Sequence, residues 1–322
     1  MSAVSAVQAV VEAGGAPASR LMDQLELRLA QAAASHGPVL QGHAGDMIAA
    51  GGKRLRPLLV FLAAGAPPPE TDGLLRAAVA VELVHTATLV HDDVLDGSDL
   101  RRGRPTVFAS GGRRLATATG DLLFSRAFAE LVATRSLASV RALSRASSEL
   151  AAGELMQRAD AWRAVPIERY LERCRLKTAV LFRAACELGA IEGDGPVAAL
   201  GTFGEQIGTA FQLLDDVLDV SGPPERTGKP RGADLLDGTI TLPLLIARGR
   251  DAQLAALDLT EIRTADAAAS VCDRIASTGA VQTARERAMA LVTSAKAELP
   301  AVSARQRAAL ELVADGVVER YA

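Results

Sequence analysis

Two pairs of aspartates stand out by type and spacing. Asp92 and Asp96 are four residues apart, and so are Asp215 and Asp219. On an α-helix four residues advance about 400°, so each pair shares a face, about 6 Å apart along the axis. Carboxylates so placed repel one another unless a cation joins them. Hard oxygen donors suit Mg2+, which keeps part of its water shell and takes substrate phosphate for the rest. The plain alternative is a solvated acidic helix face. Duplication speaks against it. Asp92-Asp93-Val94-Leu95-Asp96 recurs as Asp215-Asp216-Val217-Leu218-Asp219, each behind an apolar run, Ala87-Thr88-Leu89-Val90 and Phe211-Gln212-Leu213-Leu214. An EF-hand loop does not fit, because Gly103 and Arg226 stand where its twelfth-position glutamate belongs.

Cations accompany the acids. Gly51-Gly52-Lys53-Arg54-Leu55-Arg56-Pro57 sets a basic cluster behind a glycine pair, and Arg101-Arg102-Gly103-Arg104-Pro105 follows Asp96 closely. Lysine offers phosphate a compact charge and arginine a fork of donors. Lys+Arg total 35, yet there are only four lysines, and Lys53, Lys177 and Lys229 each fall inside a motif. Gln212, three residues before Asp215, projects near the same helix face.

The elements that must position these residues read as helices. The chain has 322 residues, 49% hydrophobic and only 3% aromatic, with alanine dominant. Alanine and leucine favour helix, and the residues that favour strands are scarce. Breaks at Ala64–Gly73, Gly97–Pro105, Gly193–Pro196 and Ser221–Gly238 separate long periodic segments. In one, Leu75, Val79, Leu83, Val84, Ala87, Val90 and Val94 form a stripe that predicts a helix over 74–95. In another, Phe203, Ile207, Phe211, Leu214 and Leu218 do the same, with Gly204 and Gly208 as weak points. No strand pair is evident. Residues 1–20 read as a flexible N-terminal arm without a basic start, and 21–322 as a single helical domain.

Composition also limits partners. The net charge of −3 without a basic block gives no support to nucleic-acid binding. Leu58–Ala66 is too short to span a bilayer. Cys174, Cys186 and Cys272 have no metal-ligand spacing and read as reduced thiols of a cytoplasmic protein.

In combination and order, the motifs from Gly51 to Pro243 resemble the trans-isoprenyl diphosphate synthases, or polyprenyl synthetases. His91-Asp92-Asp93-Val94-Leu95-Asp96 precedes Arg101-Arg102-Gly103; Gly153-Glu154-Leu155-Met156-Gln157 precedes Lys177-Thr178; Phe211-Gln212-Leu213-Leu214-Asp215-Asp216-Val217-Leu218-Asp219 precedes Gly228-Lys229. The resemblance implies an all-α antiparallel bundle of about ten or more helices around a central cavity, as a homodimer. It implies that Lys53, Arg56, His85 and Arg102 bind isopentenyl diphosphate. Arg101, Lys177, Thr178, Gln212 and Lys229 would bind an allylic diphosphate. Asp92, Asp96, Asp215 and Asp219, supported by Asp93 and Asp216, would hold Mg2+, about three ions once substrate is bound. Asp92, Asp96, Lys177, Asp215 and Lys229 would carry catalysis. One position departs from many relatives: Thr239 in Gly238-Thr239-Ile240-Thr241-Leu242-Pro243 stands where they have lysine.

Product length in the family depends on bulk just before the first aspartate motif. Here Ala87 and Thr88 occupy the fifth and fourth positions before Asp92, preceded by Leu83 and Val84, with no aromatic plug. An apolar channel past Ala87 gives a medium- or long-chain product, longer than the farnesyl type; if Phe124 or Phe128 closes it, the product is farnesyl or geranylgeranyl diphosphate. A greasy product would leave through transient membrane contact. Two rivals remain: a class I terpene cyclase, which would not consume isopentenyl diphosphate, and a non-catalytic synthase subunit, which would be silent alone.

Overall fold

The expected helices are present, and their ends follow local chemistry. The computed structural model describes residues 3–34, 42, 45, 47–48, 52, 54–66, 71–101, 103–222 and 230–319. The chain opens with α1 (Ala3–Gly14) and α2 (Ala16–Ala34). Within the segment read from sequence as an N-terminal arm, Val10 of α1 and Ala18 of α2 are buried. Then come α3 (Leu55–Ala63), α4 (Asp72–Asp96), α5 (Val107–Ala133) and α6 (Leu137–Asp160). Next, α7 (Ile167–Cys174) runs through a π-turn at Arg175–Ala179 into α8 (Val180–Glu192), and α9 spans Val197–Ser221. Short helices α10 (Ala233–Leu236), α11 (Leu242–Arg248) and α12 (Ala252–Ala256) lead to α13 (Ala265–Ser277), α14 (Ala280–Ala297) and α15 (Ala304–Glu319). The sequence reading missed one strand pair: Leu100–Arg101 (β1) pairs antiparallel with Arg104–Pro105 (β2). Two residues a side are too few for alternation to reveal.

The described chain divides into two compact units. The first comprises 1–147, 181–204 and 299–316; the second comprises 148–180, 205–298 and 317–322. In the first, α4 is the central element. Its expected stripe is buried, but so are Leu74, Ala77, Ala78 and Val81 on its other faces. A helix apolar all round must be enclosed, and α2, α3 and α5 pack on it. By length and composition α4 is the one described helix able to cross a membrane, and 67% of its apolar window is buried in protein. It stops at Asp96 because Gly97 adopts a left-handed conformation (φ 63°) and its N–H caps the Asp93 carbonyl.

Arg54 anchors this unit. It also has a left-handed backbone (φ 47°) at the start of α3. Its guanidinium donates to Glu82 at 2.8 Å, Glu26 at 2.6 Å and the Ile48 carbonyl at 2.8 Å. In the second unit α11, α13 and α14 pack around a core including Val220, Leu235, Ile240, Leu244, Cys272 and Ile275. That core fixes the end of α9, where the second aspartate motif lies.

Candidate active site

Each aspartate motif occupies the last turns of a long helix, Asp92–Asp96 on α4 and Asp215–Asp219 on α9. In both, the residues of the motif divide in the same way. Asp96 and Asp215 are exposed and Asp92 and Asp219 half-buried, whereas Asp93 and Asp216 are 1% and 3% exposed. The buried member binds protein. Arg101 donates to Asp93 Oδ1 from Nε at 2.9 Å and lies 2.8 Å from it through Nη2. The β1–β2 hairpin, which carries Arg101, thus folds back on the helix it follows. Asp93 is engaged by a cation inside the protein, and the Arg101 guanidinium is directed to it.

In the second motif neutral donors do the same work. The Tyr170 hydroxyl donates to Asp216 Oδ2 at 2.6 Å, and Gln212 Nε2 donates to Oδ1 at 2.8 Å. Thr178 Oγ1 donates to Gln212 Oε1 at 2.7 Å, which fixes the orientation of that amide. Burial pushes the Asp216 carboxyl up to about 7, against the lowering effect of the Tyr170 and Gln212 donors. Burial, and then the nearby Asp216 charge, raise the Tyr170 phenol well above its ordinary value. Thr178 and Gln212, expected to grip a diphosphate, here build a chain onto Asp216.

Lys177 lies within the π-turn, and its Nζ is 2.6 Å from Glu154 Oε2. Glu154 Oε1 accepts from Arg158 Nε at 2.9 Å. Burial would raise the Glu154 carboxyl; the Lys177 charge and the Lys177 and Arg158 hydrogen bonds outweigh it and hold the carboxyl below its usual range. The preceding glycine allows the approach: a Cβ on Gly153 would stand 2.7 Å from the Lys177 backbone nitrogen, so only glycine lets α6 come this close to the π-turn.

Arg56 stacks its guanidinium 4.6 Å from the centre of the Phe182 ring, a cation–π contact within the first unit. His85 is half-buried on α4, and its carbonyl accepts from Thr88 Oγ1 at 2.8 Å. Ala87 is fully buried. Phe124 stacks on His91, ring centres 5.9 Å apart, directly before Asp92. Lys53, Arg102 and Lys229 lie outside the described residues. Thr239 donates its backbone N–H to the Asp234 carbonyl.

The donor set fits a hard divalent cation. It is all carboxylate oxygen, four residues apart on a helix, with the middle carboxylate engaged elsewhere. Among the described residues no three His, Cys, Asp or Glu converge as a closed metal cage. Mg2+ is usually held by one or two carboxylates, with water and phosphate completing its shell.

Sequence reasoning assigned no role to Tyr170 or Glu154. Tyr170 carried a faint signal as one of two tyrosines in an aromatic-poor chain. Glu154 carried another, a glycine placed beside it inside a helix.

The chain belongs to the polyprenyl synthetase family, whose model matches residues 38–275. It is 44% identical over 205 residues to the heptaprenyl diphosphate synthase component 2 of Geobacillus stearothermophilus, covering 62% of this chain and 64% of that protein. The match therefore spans just under two thirds of that relative. It is 36% identical over 305 residues to the geranylfarnesyl diphosphate synthase of Natronomonas pharaonis, covering 85% and 88% of the two chains. Among solved structures, the Caulobacter crescentus polyprenyl synthase, complexed with calcium and isoprenyl diphosphate, superposes with TM-score 0.89 at 37% identity, covering 97% and 98%.

Proposed function

We propose that this chain is a Mg2+-dependent trans-prenyltransferase that joins isopentenyl diphosphate to an allylic diphosphate and releases a medium- or long-chain all-trans polyprenyl diphosphate. The observation that carries the reading is the repeated aspartate turn. Twice, at a helix end, the middle carboxylate is buried in the protein while one outer carboxylate is exposed and the other half-buried, and this occurs in a chain of the polyprenyl synthetase family.

Asp92, Asp96, Asp215 and Asp219 would hold the metal, about three ions with substrate in place. Bound Mg2+ supplies Lewis-acid neutralisation of diphosphate charge. Lys177 and Lys229 stabilise the negative charge that grows on the departing diphosphate. Lys53, Arg56, His85 and Arg102 place isopentenyl diphosphate so that its double bond meets the allylic carbon, and this shared registration supplies much of the rate. The apolar faces around Ala87 exclude water from the carbocation and receive the growing chain. The proton leaves to the released diphosphate, so the reaction needs no dedicated protein base. Thr239 leaves the allylic end one cation short of the many relatives with lysine there. The chain works as a cytoplasmic homodimer in this reading. The component 2 name of one relative favours a second reading of the assembly alone, in which this chain is one part of a two-part synthase.

The test is product analysis of the purified chain with Mg2+, labelled isopentenyl diphosphate and farnesyl diphosphate as primer. A ladder extending past geranylgeranyl diphosphate is expected. A ladder that stops there keeps the reaction and moves the channel floor to Phe124 or Phe128. No uptake of label with any primer, alone or with a partner component, overturns the reading and leaves the terpene cyclase.

A further inference from the structure

The second aspartate motif depends on a residue outside it. Tyr170 is 0% exposed, and its hydroxyl is 2.6 Å from Asp216 Oδ2, across 46 residues of chain. Its ring is fixed independently. The Arg173 guanidinium lies 5.3 Å over it and donates to the Ile240 carbonyl, in the segment leading into α11. The phenol therefore approaches Asp216 as a rigid donor. With Gln212 on Oδ1, it leaves each Asp216 oxygen with a donor from the protein. A carboxylate held this way cannot swing toward a metal, and because it sits next to Asp215 it also fixes the rotation of the last turns of α9. In the first motif the equivalent grip is made by Arg101, a charged and part-exposed side chain. In the second motif the hydrogen bonds to Asp216 come from two neutral donors, the Tyr170 hydroxyl and the Gln212 amide.

We propose that Tyr170 is a positioning residue for metal–diphosphate binding, acting through Asp216 to set Asp215 and Asp219. This rests on the proposed function, which makes those two aspartates metal-holding. Tyr170 touches neither substrate nor metal; its effect is to hold the carboxylate beside the ligands. Groups of this kind around a metal site typically change metal affinity by 10- to 100-fold when removed.

The test uses the full chain and calorimetric titration of Mg2+ in the presence of inorganic diphosphate. Wild type, Tyr170→Phe, Asp216→Ala and the double variant are compared, each checked for its thermal transition and circular dichroism. Tyr170→Phe keeps the ring and loses only the hydroxyl. It is expected to weaken Mg2+–diphosphate binding about 10-fold and to raise the half-saturating Mg2+ of the reaction by a similar factor. The KM for isopentenyl diphosphate is expected to stay within about twofold, a split that simple loss of folded protein would not give. In Asp216→Ala no carboxyl remains for the phenol to donate to, so adding Tyr170→Phe is expected to weaken binding no further. Wild-type affinity in Tyr170→Phe, or losses that add in the double variant, overturn the proposal. A wild-type chain that binds no Mg2+ with diphosphate overturns the proposed function itself, and this inference with it.

Discussion

At the scale of single residues, function rests on charges that the fold has already partnered. Glu154 bridges Lys177 and Arg158, and its carboxyl is held below the ordinary value of 4.5. A depressed acid stabilises the folded state above its unfolded value, and that stability is lost as pH falls through the native one. Glu154→Gln is therefore expected to cost about 1–2 kcal/mol at neutral pH. In paired thermal melts the gap to wild type should close as pH drops below about 4.5. Equal melting of the two proteins at neutral pH would show that solvent screens the pair. The outer aspartates were legible from sequence because a helix converts a spacing of four directly into a shared face. The fate of Asp93 and Asp216 was not legible, since the same pentapeptide recurs whether its middle carboxylate meets a metal or the protein. Arg101 lies eight residues from its partner, and Tyr170 lies 46 from its own. No local periodicity encodes such pairs.

At the scale of elements, the sequence showed where helices stop but little of what holds them together. The breaks at Ala64–Gly73, Gly193–Pro196 and Ser221–Gly238 match the ends of α3, α8 and α9, because glycine and proline act on their own backbone. The Arg54 cluster, in contrast, joins α2 through Glu26 and α4 through Glu82 at the start of α3. From sequence alone Arg54 was one more cation in a basic run. With 7% of its side chain exposed, its removal leaves Glu82 buried without that charge. Arg54→Ala is expected to destabilise the protein by about 3–5 kcal/mol, read as a lowered denaturation midpoint. A loss near zero would show that Glu82 finds another donor. α4 carries a second expectation. Ala87 is buried, and in the proposed function the growing chain passes it, so Ala87→Phe is expected to shorten the product ladder. An unchanged ladder from a folded Ala87→Phe enzyme would place the floor elsewhere.

At the scale of the whole molecule, the remaining question is whether one kind of chain suffices. Obligate subunits that only support a partner have no need of a complete set of catalytic acids. This chain keeps both aspartate motifs, and each outer pair lies at an accessible helix end. Large apolar side chains are also exposed, among them Val132 and Leu137 on either side of the α5–α6 turn. Exposed valine and leucine five residues apart across one turn suit burial against another protein surface more than contact with water. A second copy of this chain satisfies both observations. The purified protein is therefore expected to sediment at twice its chain mass of 33.4 kDa and to consume isopentenyl diphosphate with nothing added. Val132→Glu, which puts a charge on that turn, is expected to shift the sedimentation toward monomer. A monomeric wild type, silent until a different polypeptide is supplied, would instead make it one half of a two-part enzyme, with its aspartate motifs intact but the catalytic assembly incomplete.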